Sequence, residues 1–227
     1  MSILIYIYLV ISGTLLFFLV LPFLTVLFSR FSKEKLEEPE QPKKFDYGCI
    51  ITAYRNSDIT KPLVHSLIKQ KHENFHIYLV ADNCDVSNYD IEHDKFTLFR
   101  PEPALNLKAK SIIHAMENYV RPHDYTVVFD GDNLAHPDFL KTINQYANSG
   151  YRSIQGQRTA KNVDATYSAL DALGEFYKNY IERYATYLIG SSAVISGSGM
   201  AVKTDLYWEY LRSPEIDQGK HLSLIHI

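Results

Sequence analysis

The sequence predicts an α/β fold with a mostly parallel sheet, preceded by one membrane-spanning helix. Three observations predict it. Residues 2–29 carry no charged side chain. From residue 47 onward, short apolar β-branched runs alternate with stretches of helical periodicity, the pattern of strands joined by crossover helices. Polar residues collect where the predicted strands end, which is where ligands bind in open α/β sheets.

The N-terminal stretch SILIYIYLVISGTLLFFLVLPFLTVLFS (residues 2–29) is longer than the roughly 20 apolar residues needed to cross a bilayer. A cleaved signal peptide would want a basic start and a small-residue cleavage site. The start MSILIY has no Lys or Arg and no A-x-A follows, so residues 1–29 are expected to be a retained anchor. Arg30, Lys33 and Lys35 follow at once, and the positive-inside bias then places the rest of the chain on the cytoplasmic side. Residues 30–45 are charged and contain two prolines, which fits a juxtamembrane linker.

Beyond the linker, YGCIITAY (47–54) is a strand by its apolar β-branched run. Residues 59–70 place Leu63, Leu67 and Ile68 at helical spacing. FHIYLVAD (75–82) is a second strand and FTLFR (96–100) a short third. Ile112, Ile113, Met116 and Val120 share one face of a helix over 107–120. YTVVFD (125–130) is a strand, and 136–148 a helix with Pro137 near its start, where proline is tolerated. Residues 151–157 read as a strand, 165–189 as a long helix, and 193–204 as a strand broken by glycines.

Composition excludes several functions. A formal charge of −3 argues against a nucleic-acid partner, whose phosphates favour a strongly basic face. The two cysteines, Cys49 and Cys84, form no CxxC and read as reduced, buried small residues rather than zinc ligands. The 17 tyrosines and 12 phenylalanines are accounted for by core and membrane-interface packing. The nine histidines are scattered without H-E-x-x-H, and there is neither a P-loop nor a G-x-S-x-G elbow. SGSGMA (196–201) starts like a dinucleotide fingerprint, but Val202 stands where the third glycine belongs.

VVFDGDN (127–133) holds the chemistry-bearing pair Asp130 and Asp132. An EF-hand would need an oxygen ligand, a glycine and a glutamate where Leu134, Ala135 and Lys141 stand. A hairpin would need a second strand after Asp-Gly, and a helix follows instead. Two readings stay open on these residues alone: a tight turn, or two carboxylates presented to a hard divalent cation.

Taken in order, CIITAYRNS, VADNCD, LKAKSIIHAM, VVFDGDN, QGQRTAKN and SGSGMAV resemble the cytoplasmic domain of family 2 glycosyltransferases, from about Asp46 to Trp208. The resemblance implies a GT-A fold, a Rossmann-like mixed sheet with flanking helices that handles nucleotide-diphospho-sugars. It implies nucleotide-sugar contacts from Ala53, Tyr54, Asn56, Asp82, Lys108 and Asp130, with Asp82 meeting the base. It implies that Asp130 and Asp132 are a D-x-D pair holding Mg²⁺ or Mn²⁺, Asp132 more directly. Gln155, Gly156, Gly197, Ser198 and Gly199 would line the donor and acceptor pocket. Thr52, Arg55, Asn56 and Leu107 depart from the family's usual residues, which affects nucleotide contacts rather than the fold.

The implied activity is inverting transfer of a sugar from a nucleoside-diphosphate donor, expected to be a UDP-sugar. The acceptor would be a hydroxyl of a saccharide or lipid-linked partner, in cell-envelope or polysaccharide synthesis. The family's catalytic base lies in a Glu-Asp motif after the SGSGM region. Glu215 and Asp217 are near that place but wrongly spaced, so the base is expected beyond residue 221. LSLIHI (222–227) matches a translated sequencing adapter. The expected domain is therefore 46–221, truncated at its C-terminus and inactive alone. A non-catalytic nucleotide-binding or scaffolding membrane protein of the same fold is the alternative.

Overall fold

The computed structural model describes residues 3–34, 36–37, 39–161 and 163–213. Glu215, Asp217 and the 222–227 segment lie outside the described residues. The described residues form two compact units: one within 36–156 and 195–213, the other within 3–34 and 157–194.

The larger unit is built on a six-stranded sheet of order β3-β2-β1-β4-β6-β5. Strands β1 (Tyr47–Tyr54), β2 (Phe75–Asp82), β3 (Phe96–Phe99) and β4 (Tyr125–Asp130) pair in parallel. β6 (Met200–Lys203) runs antiparallel to both β4 and β5 (Ser153–Gln155). β2 is buried along its whole length and β1 and β4 nearly so, as expected of central strands covered on both faces. One face packs Ile51, Ile77, Leu79 and Val127 under α2 (Lys61–Ile68) and α4 (Phe139–Asn148), which contribute Leu63, Leu67, Leu140 and Ile143. The other packs Ile50, Tyr78, Val80 and Val128 under α3 (Lys108–Glu117) and α7 (Thr204–Leu211), which contribute Ile112, Met116, Tyr207 and Leu211. Cys49 and Cys84 are free and buried, and burial pushes both thiols up.

Several boundaries move. The first crossover helix begins as a 3₁₀ turn over Asp58–Thr60. Pro137 precedes α4 instead of opening it; Asp138 is the N-cap residue. The C-terminal strand is only β6, because Gly197 and Gly199 have φ of 71° and 64°, a backbone that cannot continue a ladder. Helix α7 has no counterpart in the sequence pattern: eight residues with three aromatics give too short a period to read.

In the smaller unit, α1 (Ile3–Ser29) is the N-terminal apolar helix, long and apolar enough to cross a membrane. The expected long helix is continuous but mixed. It runs through α5 (Thr166–Tyr177), a π-helical segment (Lys178–Ala185) and α6 (Thr186–Leu188).

Candidate functional site

Parallel pairing fixes which ends of the strands meet. Tyr54 is registered with Asp82, and Thr52 with Asp130. Antiparallel β6 begins at that same edge, where Met200 faces both Val128 and Gln155. The ends of β1, β2, β4 and β5 and the loop before β6 therefore gather at one edge.

The Asp130 turn is fastened from below. The Asp130 N–H donates to Ser198 Oγ at 2.9 Å, and Ser198 Oγ bonds Asn133 Oδ1. Ser198 is completely buried. The Gly199 N–H donates to the Val128 carbonyl at 2.8 Å. Gly131 is needed for close approach: a Cβ there would lie 2.9 Å from Thr60 Cγ2 and 3.4 Å from the Thr52 carbonyl. Asp132 is exposed beside it, its Oδ1 reached by Asn133 Nδ2 at 3.3 Å.

Lys108 Nζ forms an ion pair with Asp130 Oδ1 and donates to the Gly197 carbonyl at 3.2 Å. It opens α3, and the loop before it is set by Asp82. The buried Asp82 carboxylate accepts the Leu105 N–H at 2.8 Å on Oδ1 and the Asn106 N–H at 2.7 Å on Oδ2. Asn106, held at φ 54°, accepts the Tyr54 hydroxyl at 3.0 Å. The Arg55 guanidinium lies 5.0 Å from the Tyr54 ring centroid.

Gln155 shapes the glycine loop. Its Oε1 accepts the Ser196 N–H at 2.8 Å, and its Nε2 donates to the Ser198 and Gly156 carbonyls at 3.0 Å each. Gly156 donates its N–H to the Gly199 carbonyl at 2.8 Å, and a Cβ there would lie 2.8 Å from that carbonyl and 2.5 Å from Phe139 Cε2.

The residues named from the sequence thus meet at one edge, with differences in what they do. Ala53 buries its side chain in the core, leaving only its backbone to the site. The exposed Asn56 uses its Oδ1 to accept the Asp58 N–H at 3.1 Å, starting the 3₁₀ turn. Asn106, Asn133 and Thr60 were not indicated by the sequence. For Asn106 the one available signal is its residue type, since Asn tolerates positive φ; the other two act on partners distant in sequence. Beside Asp82, a cleft of about 300 Å³ is lined by Asn83, Cys84, Asp85, Arg100, Glu102 and Ala104.

Among the described residues, no group of three or more His, Cys, Asp or Glu could hold a metal ion unaided. Asp130 and Asp132, two positions apart in one turn with Asp132 exposed, offer the oxygen donors a hard cation takes when a diphosphate and water supply the rest, as with Mg²⁺.

A family model described as "Glycosyltransferase like family 2" matches residues 42–224. Among solved structures, the mannosyltransferase PcManGT from Pyrobaculum calidifontis, in complex with GDP-Man and Mn²⁺, aligns with a TM-score of 0.65 and 14% identity. That alignment covers 88% of this chain and 56% of the other. S. aureus TarS aligns with a TM-score of 0.53 and 13% identity, over 73% of this chain and 49% of the other. The chain thus spans about half the length of the solved structures it matches. No curated protein sequence matches it.

Proposed function

Because this chain belongs to the glycosyltransferase-like family 2 and has the GT-A fold, we propose that it binds a nucleoside-diphosphate sugar at the Asp130–Asp132 edge and transfers the sugar to a hydroxyl acceptor. The observation that carries this reading is the convergence of Lys108, Asp130 and Asp132 on a turn locked by Ser198. One cation, and two carboxylates on a single turn, are the groups that a diphosphate and its counter-ion would need, which supports this reading.

Sugar transfer requires a leaving group whose growing negative charge is neutralised. Asp130 and Asp132 would hold Mg²⁺ or Mn²⁺, which when bound supplies Lewis-acid stabilisation of the diphosphate oxygens. Lys108 holds Asp130 in place and adds a second positive charge from the side of Gly197. Asp82 positions the 104–106 loop, and the cleft beside it, with Arg100 on its wall, is the proposed seat of the base. The Gly197–Gly199 loop, with Gln155 and Gly156 behind it, faces the sugar side. The donor is proposed to be a UDP-sugar and the transfer inverting.

In this reading α1 is a membrane anchor and the catalytic domain lies on the cytoplasmic side. The residues directly after α1 support that side, since Arg30 and Lys33 follow it.

Calorimetric titration of the complete chain with UDP and with GDP, each with Mn²⁺ present, tests the reading. Saturable binding of UDP in preference to GDP is expected. Preference for GDP would change the donor, and no binding of either would remove the nucleotide-sugar reading.

A further inference from the structure

The long helix of the smaller unit is amphipathic the wrong way round for a water-soluble surface. Leu170, Leu173, Tyr177, Tyr180 and Tyr184 recur at alternating spacings of three and four residues and all are exposed, Leu173 at 66%. Phe176 widens the stripe and is 69% exposed. Glu175, Asn179 and Arg183, spaced by four, form the inward stripe instead, and Arg183 is buried. Asn179 and Arg183 spend their polar groups inside the unit. Arg183 Nη1 bonds Asn179 Oδ1, Arg183 Nε donates to the Val194 carbonyl at 3.3 Å, and Asn179 bonds both backbone groups of Arg158. A helix facing water would turn these two stripes around.

The neighbouring helix indicates what covers the apolar stripe. α1 packs against the π-helical segment and α6. Its only buried residues are Thr25 and Ser29, in its last two turns, so the contact is made at its C-terminal end. At 27 residues, α1 is about 40 Å long, against about 30 Å of hydrocarbon in a bilayer. Its last turns, just before Arg30, therefore sit at headgroup depth. A tyrosine- and leucine-rich face at that depth matches the interface, where an aromatic ring can be apolar on its body and wet at its hydroxyl.

We propose that the helical segment Thr166–Leu188 lies in the plane of the membrane interface, its Leu170–Tyr184 stripe in the lipid, as a second membrane contact beside α1. This rests on α1 being membrane-embedded. A lipid-docked helix between β5 and β6 would hold the chain at the surface from which a lipid-linked acceptor is presented.

Nitroxide labels at Leu173, Tyr180, Asp171 and Leu16 of the complete chain, in phosphatidylcholine–phosphatidylglycerol bilayers, test it by collision with oxygen, which concentrates in lipid, and with a nickel chelate, which stays in water. The expected result is an oxygen-to-nickel ratio several-fold higher at Leu173 and Tyr180 than at Asp171, with both positions shallower than Leu16. Nickel-dominated collision at Leu173 and Tyr180, with Leu16 in lipid, would overturn the proposal and leave the anchor intact. Low collision with both reagents would show that protein covers the stripe and would overturn it too. A nickel-accessible Leu16 would instead remove the anchor reading on which the proposal stands.

Discussion

Residue by residue, the candidate site is held by small groups with no room to change. Replacing Ser198 by Ala leaves the Asp130 N–H and Asn133 Oδ1 without the partner that joins them. The expected cost is about 1–3 kcal/mol, read as a lower midpoint in thermal or denaturant unfolding, together with weaker nucleotide binding. Gly131→Ala places a Cβ against Thr60 Cγ2 and is expected to tilt the Asp130–Asp132 turn and lower metal-dependent nucleotide affinity. Thr60→Ser removes that methyl while keeping the hydroxyl that bonds the Ser57 carbonyl and Tyr89. The double variant should recover affinity, and a double-mutant cycle measures the coupling. The acidic pair was legible in the sequence because its signal is local. Ser198 was legible only as a pocket residue, since its bond to Asp130 spans 68 positions.

At the scale of elements, the sequence showed where strands end but not what the end residues do. Asp82 ends β2 as expected, yet its carboxylate is spent on the Leu105 and Asn106 amides, 23 and 24 positions away. Asp82→Asn can accept only one of those two bonds and replaces the other acceptor with a donor. Faster amide hydrogen exchange at 104–106 is expected, with weaker nucleotide binding. Unchanged exchange with lost binding would mean that Asp82 acts on the ligand directly. The segment 165–189 was legible as a helix by its period. Its inverted polarity was not, because a hydrophobic period shows that a helix has two faces and not which one meets the protein.

At the scale of the whole molecule, the alternation of strands and helices was enough to give the fold class, since β-branched runs and apolar helical spacing report burial directly. The antiparallel β6 and the short α7 were not legible, because strand direction and a two-turn helix depend on long-range pairing. Acid should weaken the larger unit. Burial lowers the pKa of His72, His76 and His123, that of His76 to about 4. The unfolded chain therefore binds protons that the folded one does not, and stability is full above about pH 6.5 and falls as the pH drops toward 4. Denaturant midpoints across that range check this; a midpoint that rises on acidification would contradict it. The central claim, that Asp130 and Asp132 present a divalent cation to a nucleoside diphosphate, is met most directly by titrating UDP into the complete chain with and without Mn²⁺, as wild type and as Asp132→Ala. Mn²⁺ is expected to tighten UDP binding by about tenfold or more in the wild type, roughly 1.4 kcal/mol of coupling, and Asp132→Ala to abolish this gain. Equal Mn²⁺ dependence in the two proteins would contradict it.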